Sequence, residues 1–184
     1  MALSIPSILL LCGGNLNIFL LDTTPTLSAQ ALCNKHVSKM AVEAAQIAST
    51  AHAELGFPYT RWRYLPAYPH HPCTRWAGEC PEHLAYTIAC GLAICEEYGQ
   101  RYHKRHACLE VLERLESSLP TICAEPAEFA VAIKAPLRRA SYSPRLPLAA
   151  AIAEYRAYYY ADKADFAIWP EWRGQPAWWP GITD

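Results

Sequence analysis

Apolar residues in this chain come in long runs broken by proline, and most of the runs carry a helical rather than a strand period. An apolar run at residues 8–12 is followed by a second, Ile18-Phe19-Leu20-Leu21, which ends at Asp22 and predicts a short buried strand or extended segment. Thr24-Pro25-Thr26 has the form of a helix start, a hydroxyl cap beside a proline suited to the first turn. One long helix is expected from about Pro25 to Glu54, stopping at Gly56 with Pro58 beyond it. Phe57 to Pro81 is an irregular stretch that mixes Pro58, Pro66, Pro69, Pro72 and Pro81 with Tyr59, Trp62, Tyr64, Tyr68 and Trp76; a loop of that length is functional or packed down over helices. Pro81 opens a second helix, carried to about Tyr98. Gly99 either breaks it or is tolerated, and helical pattern resumes over residues 100–115. Residues 121–147 form a proline-punctuated connection with a short helix near Pro126 to Lys134. A last helix is expected from about Leu148 to Phe166, facing inward through Ala149, Ile152, Ala153, the stem of Arg156, Tyr159 and Tyr160. The predicted fold is all-α, a compact bundle of four to five helices with a short N-terminal strand and long Pro- and aromatic-rich loops. Residues 1–16 are assigned to an N-terminal extension, 17–167 to the helical domain, and 168–184 to a Trp/Pro-rich tail that cannot be helical and lies across the surface.

Composition narrows the class. The 184 residues suit one domain, and 52% apolar with 18% charged residues is the balance of a folded chain. A net charge of -1 is not that of a nucleic-acid coat or basic arm, but leaves room for a local basic cleft. Eight cysteines occur without a CxxC pair, several amid helical Ala and Leu. They are read as buried thiols in a reducing, cytoplasmic setting rather than as disulfides. The first apolar run lacks a preceding Lys or Arg and a cleavage site, and is too short to span a bilayer, so no membrane role is assigned.

Three polar features offer chemistry. On the first long helix His36, Met40, Glu43, Ile47 and Thr50 share a face, with Lys39 and Gln46 at its edge and Lys35 on its flank. This stripe is either a solvated face with one Lys39–Glu43 pair, or the lining of a cleft. In a cleft, Glu43 would serve as acid or base and Lys39 or Lys35 as amine nucleophile or anion binder. The prolines around His70-His71 would hold His71 still beside Cys73 and Trp76. Arg101 to His106 is the most basic stretch, interleaved with Tyr98 and Tyr102, a mix that suits phosphate and base contacts or a helix end favoured by the dipole. His36, Glu43, His71 and Glu97 would be the ligands of a metal-dependent hydrolase acting on a nucleotide-scale substrate, but no HExxH or Cys/His spacing is present, and neither metal nor cofactor is assigned.

The strings Asn17-Ile18-Phe19-Leu20-Leu21-Asp22, Lys35-His36-Val37-Ser38-Lys39-Met40 and His71-Pro72-Cys73 with Trp76, together with Glu43, Gln46, Glu97-Tyr98, Arg101-Tyr102, Lys104 and His106, resemble a family of small bacteriophage and virus proteins over about Asn17 to Phe166. A more distant similarity is to the phage-type pyrimidine-dimer DNA glycosylases, small all-α proteins that cut the glycosidic bond and then the strand. That resemblance implies a nucleophilic amine, in the family the amino terminus of the mature chain, partnered by a carboxylate in the first helix. Here Glu43 would be the carboxylate, and a lysine or a new N-terminus near Asn17 the amine. The expected function is therefore an enzyme acting on DNA or a nucleobase. His36 and His71 would position or protonate the base, Trp62, Trp76 and Tyr98 would stack on a flipped base, and Gln46, Arg101, Lys104 and His106 would contact substrate. The alternatives are the metal-dependent hydrolase and a non-enzymatic phage protein that binds a host partner through the Trp-rich tail.

Overall fold

In the computed structural model, residues 16–58, 62–122, 124–140 and 142–180 are described. Among them six α-helices occur: α1 (Pro25–Ala31), α2 (Asn34–Glu54), α3 (Pro72–Ala77), α4 (Pro81–Tyr102), α5 (Leu109–Ser117) and α6 (Leu148–Lys163). A two-stranded antiparallel sheet pairs β1 (Phe129–Ala130) with β2 (Arg145–Leu146). The chain is mostly helical, as its period predicts.

The centre is α2 laid against α4, with α1 and α5 on α4 and α3 on α2. Gly91 sets how closely they approach: a Cβ there would stand 2.8 Å from Leu112 and 3.1 Å from Ala44. α2 turns its alanine face inward, burying Val37, Ala41, Ala44, Ala45 and Ala48. α6 buries Tyr155, Tyr158 and Tyr159, with Phe19 edge-on to Tyr155 and Tyr159 and Tyr159 Oη meeting His36 of α2.

Several elements differ from the reading of the sequence, each for a tertiary reason. The long first helix is two. Leu32 and Cys33 turn extended between α1 and α2, and distant groups take up the hydrogen bonds this releases. Cys33 N donates to Tyr159 Oη, Asn34 N to the Ile168 carbonyl, and Trp169 Nε1 to the Ala31 carbonyl. Residues 16–21 are extended but belong to no sheet. Side chains satisfy them instead: Ser28 Oγ accepts from Leu21 and Asp22 N, and the Leu21 carbonyl accepts from Arg156 Nε. The irregular stretch contains α3, capped by His71 and opened by Pro72. Helix α4 runs through Gly99 to Tyr102, and His103, at φ 52°, ends it. Where a short helix was expected near Pro126 to Lys134, β1 lies. The inward face of α6 is rotated from the expected one: Tyr155 and Tyr158 are buried, whereas Ala149, Ala153 and Tyr160 are exposed.

The tail docks through buried Trp169 and Trp179, the latter edge-on to Tyr159, and leaves Ile168 and Trp172 exposed. Cys33, Cys73, Cys80, Cys90, Cys95 and Cys108 are free thiols, all but Cys80 buried; Cys12 and Cys123 lie outside the described residues. No described helix is long and apolar enough to cross a membrane.

Candidate active site

The polar stripe of α2 is covered rather than solvated. His36, Met40, Glu43, Ile47 and Thr50 are all buried, Lys39 is half-exposed and Lys35 is exposed. A period of 3.6 puts these residues on one face, and the 16–21 segment and α6 close over that face.

Glu43, 5% exposed, stands between two nitrogens. Its Oε1 lies 3.0 Å from Lys39 Nζ, one helical turn back. Its Oε2 accepts from the main-chain N–H of Asn17 at 2.8 Å. Burial pushes the carboxyl above its ordinary range; Lys39, the Asn17 N–H and Lys163 pull the other way without reversing the shift.

Asn17 is itself locked. Its Oδ1 accepts from Tyr155 Oη at 2.7 Å and from Ile18 N at 3.0 Å, with Cys73 Sγ at 3.9 Å, and its Nδ2 donates to the Ala132 carbonyl at 2.8 Å. Tyr155 Oη in turn accepts from Ala132 N. Helices α2, α3 and α6 and the strand loop thus converge on one residue of the extended segment, which fixes the nitrogen facing Glu43. The Cys73 thiol beside it is pushed up to about 12, mainly by burial, so it stays protonated and unreactive.

His36 stacks on Phe19 and its Nδ1 is 2.8 Å from Tyr159 Oη. Tyr159 Oη also accepts from Cys33 N, which fixes the hydroxyl beside the imidazole. Burial, with Lys163, Lys39 and Lys35 nearby, lowers the imidazole pKa to about 3, so the ring is neutral at physiological pH. Lys35 lies 4.5 Å over the ring of Phe166, and Asp162 holds both Lys163 (2.5 Å) and Lys134 (3.1 Å). Burial works against the Asp162 carboxylate, yet those hydrogen bonds keep it below its ordinary range. Lys35, Lys39, Lys134 and Lys163 thereby surround Glu43 and Asp162 with an excess of positive charge, on a chain whose net charge is -1.

Of the residues singled out from the sequence, Glu43, Lys39, Lys35 and His36 are gathered here. Gln46 is half-buried one turn further along. His71 is close by as the cap of α3, its Nδ1 accepting from Cys73 N. The others are placed in different surroundings. Trp76 is buried, stacked on His83 and donating to the Glu128 carbonyl. Trp62 carries Arg114 on its face. Tyr98 packs on Tyr102 and His106, and His106 Nε2 bonds the Ser38 carbonyl. Arg101 is buried, donating to Glu97, Asn34 and the Gln30 carbonyl. Lys104 is exposed. His36, Glu43, His71 and Glu97 are not gathered, and among the described residues no three His, Cys, Asp or Glu side chains converge to hold a metal ion.

Sequence reasoning missed Tyr155, Asp162, Lys163 and Lys134. Only the Lys163 and Asp162 pairing at the end of a helix could have hinted at a charged terminus.

A family model described as pyrimidine dimer DNA glycosylase matches residues 16–110. No curated protein and no solved structure matches the chain significantly.

Proposed function

The chain belongs to the pyrimidine dimer DNA glycosylase family, and on that premise we propose that it excises damaged or modified bases from DNA through an amine held against Glu43. The supporting observation is the buried carboxylate with a nitrogen on each oxygen, Asn17 N at 2.8 Å and Lys39 Nζ at 3.0 Å. In the chain as written Lys39 is the amine of the two. In a chain trimmed to Asn17, the α-amine would occupy the other position.

The chemistry balances with those groups. The amine attacks C1′ of the damaged nucleoside, and the base leaves with the electron pair of the glycosidic bond and takes up a proton. Loss of the amine proton and opening of the sugar ring give an imine between the amine nitrogen and C1′. Removal of a proton from C2′ then breaks the C3′–O bond and releases the 3′ strand. Glu43 relays these protons. A carboxyl whose pKa is raised by burial suits that task, because acid–base efficiency improves as the pKa approaches the working pH. Neutral His36 and the surrounding lysines would meet the sugar and phosphates.

Borohydride trapping on a duplex with an abasic site tests the reading. A covalent adduct is expected, together with its loss in Glu43→Gln, and peptide mapping of the adduct distinguishes Lys39 from an α-amine at Asn17. Absence of any adduct, with no base release from dimer-containing DNA, would overturn it.

A further inference from the structure

We infer that the open groove between the start of α3 and the 132–142 loop holds the sugar-phosphate backbone of the DNA strand that enters the Glu43 site; this rests on the glycosylase reading above.

The groove has a volume of about 410 Å³ and is lined by His71, Ala132, Lys134, Arg138 and Tyr142 among others. That is the scale of a nucleotide unit. It is open rather than enclosed, as a groove must be if a polymer is to pass through it.

Two connections tie it to Glu43. The Ala132 carbonyl on its wall accepts from Asn17 Nδ2, and the main-chain nitrogen of the same Asn17 bonds Glu43. On the other side Lys134 shares Asp162 with Lys163, a cation whose field reaches Glu43. The groove wall and the carboxylate are thereby held in one network.

The lining suits phosphate. Lys134 is about half-exposed, with one carboxylate partner that it shares with Lys163, so the group of three keeps a positive balance. Arg138 is held in place: its Nε donates to the Ile133 carbonyl and its guanidinium lies 4.5 Å from the centre of the Tyr142 ring, whose hydroxyl is anchored on the Val131 carbonyl. A cation fixed before binding loses little side-chain freedom when a phosphate arrives. His71 is kept neutral by burial, and because its Nδ1 accepts from Cys73 N its proton sits on Nε2, a further donor. Among the described residues no Asp or Glu lines the groove. Apart from His71 and Pro72, its lining residues lie beyond the span matched by the family model.

Ionic strength reads the phosphate contacts directly, because each phosphate neutralised by a protein cation releases counterions. Binding of the full-length chain to a short duplex carrying a tetrahydrofuran abasic analogue would be followed across a salt series. Lys134→Gln and Arg138→Gln are each expected to lower the slope of log K against log salt by about one, and the double variant by about two. Arg138→Lys, which keeps the charge, retains the slope, and this guards against a variant that merely unsettles the loop. Arg114→Gln, which removes a surface partner of Glu110, serves as the control and should leave the slope alone. A double variant with the wild-type slope overturns the inference, as does a loss equally large in Arg114→Gln. Saturable binding of thymidine 5′-monophosphate that the double variant abolishes while the DNA slope stays unchanged also overturns it, in favour of a free nucleotide. If the wild-type chain does not bind the duplex at all, it is the glycosylase reading that fails.

Discussion

Glu43 and Glu97 are alike in sequence and opposite in circumstance. Each is a buried glutamate on a long central helix with a cation four residues away, Lys39 before the first and Arg101 after the second. Glu97 is saturated. Arg101 Nε reaches it at 2.7 Å, and Arg173 from the tail spans both oxygens at 3.2 and 2.8 Å. Both partners are guanidiniums, which stay charged, and the group ties the tail to α4. Glu43 has one half-exposed lysine and one main-chain N–H, and burial wins over both. Identical spacing therefore yields a clasp in one place and a titratable carboxyl in the other. What separates them is the number and kind of partners that distant segments bring.

Substitution should split the pair most sharply. Glu43→Gln is expected to lower the single-turnover rate of strand cleavage by about 10²–10⁴-fold without lowering the melting temperature. Glu97→Gln should do the reverse, costing roughly 3–5 kcal/mol in urea unfolding because Arg101 is left buried without its counter-charge, while the activity of the folded fraction persists. Equal effects on rate would erase the distinction.

Acid titration gives the next largest effect. His36 has a folded pKa of about 3 against an ordinary 6.5, so the folded state binds fewer protons. Its contribution is complete above about pH 6.5 and is lost as pH falls toward 3, roughly 5 kcal/mol in all. Glu43 runs the other way: its raised pKa favours the fold at low pH and costs stability as pH climbs through the folded value. Unfolding measured from pH 7 to 4 should therefore show a slope that flattens in His36→Gln, and Glu43→Gln should gain on the wild type as pH rises. A His36→Gln curve parallel to the wild type would contradict this reading.

Arg173→Gln removes one of the two clasps on Glu97 and should cost about 1.5–3 kcal/mol, read as a shift in denaturation midpoint and as earlier proteolysis of the tail. Lys39→Gln should change stability by less than about 1 kcal/mol, since the lysine is half-exposed. Its effect belongs to the chemistry: where Lys39 is the attacking amine the borohydride adduct is lost with it, whereas activity carried by an α-amine persists with its acid limb moved to higher pH, because the Glu43 carboxyl rises further without Lys39.

The helical class was legible because α2 and α4 carry long apolar periods, whereas α3 was read as part of an irregular stretch although His71-Pro72 forms a cap followed by a proline at the first helical position. Glu43, Lys39, Lys35 and His36 were legible as a set because helical spacing alone puts them on one face. The break at Leu32 and Cys33 was not, since Ala, Leu and Gln flank it and the groups that stabilise it, Tyr159, Ile168 and Trp169, lie more than a hundred residues away. Nor did local pattern reveal the pairing of Asp162 with Lys134, or the role of Tyr155: a lone lysine or tyrosine in a loop or helix carries no sign of its long-range partner. The basic Arg101–His106 stretch shows the converse, because charge density in sequence did not say that Arg101 would be buried against Glu97.

Taken alone, the sequence determined that this chain folds as helices and that one polar face of α2 carries an acid among amines, because periodicity and capping act over a few residues. Only the tertiary structure decided that the face is buried, that Asn17 presents its nitrogen to Glu43, and that Glu97 is clasped by two arginines while Glu43 meets one lysine and one main-chain N–H. Burial, dielectric and the count of hydrogen-bond partners are set by segments that meet only when the chain has folded.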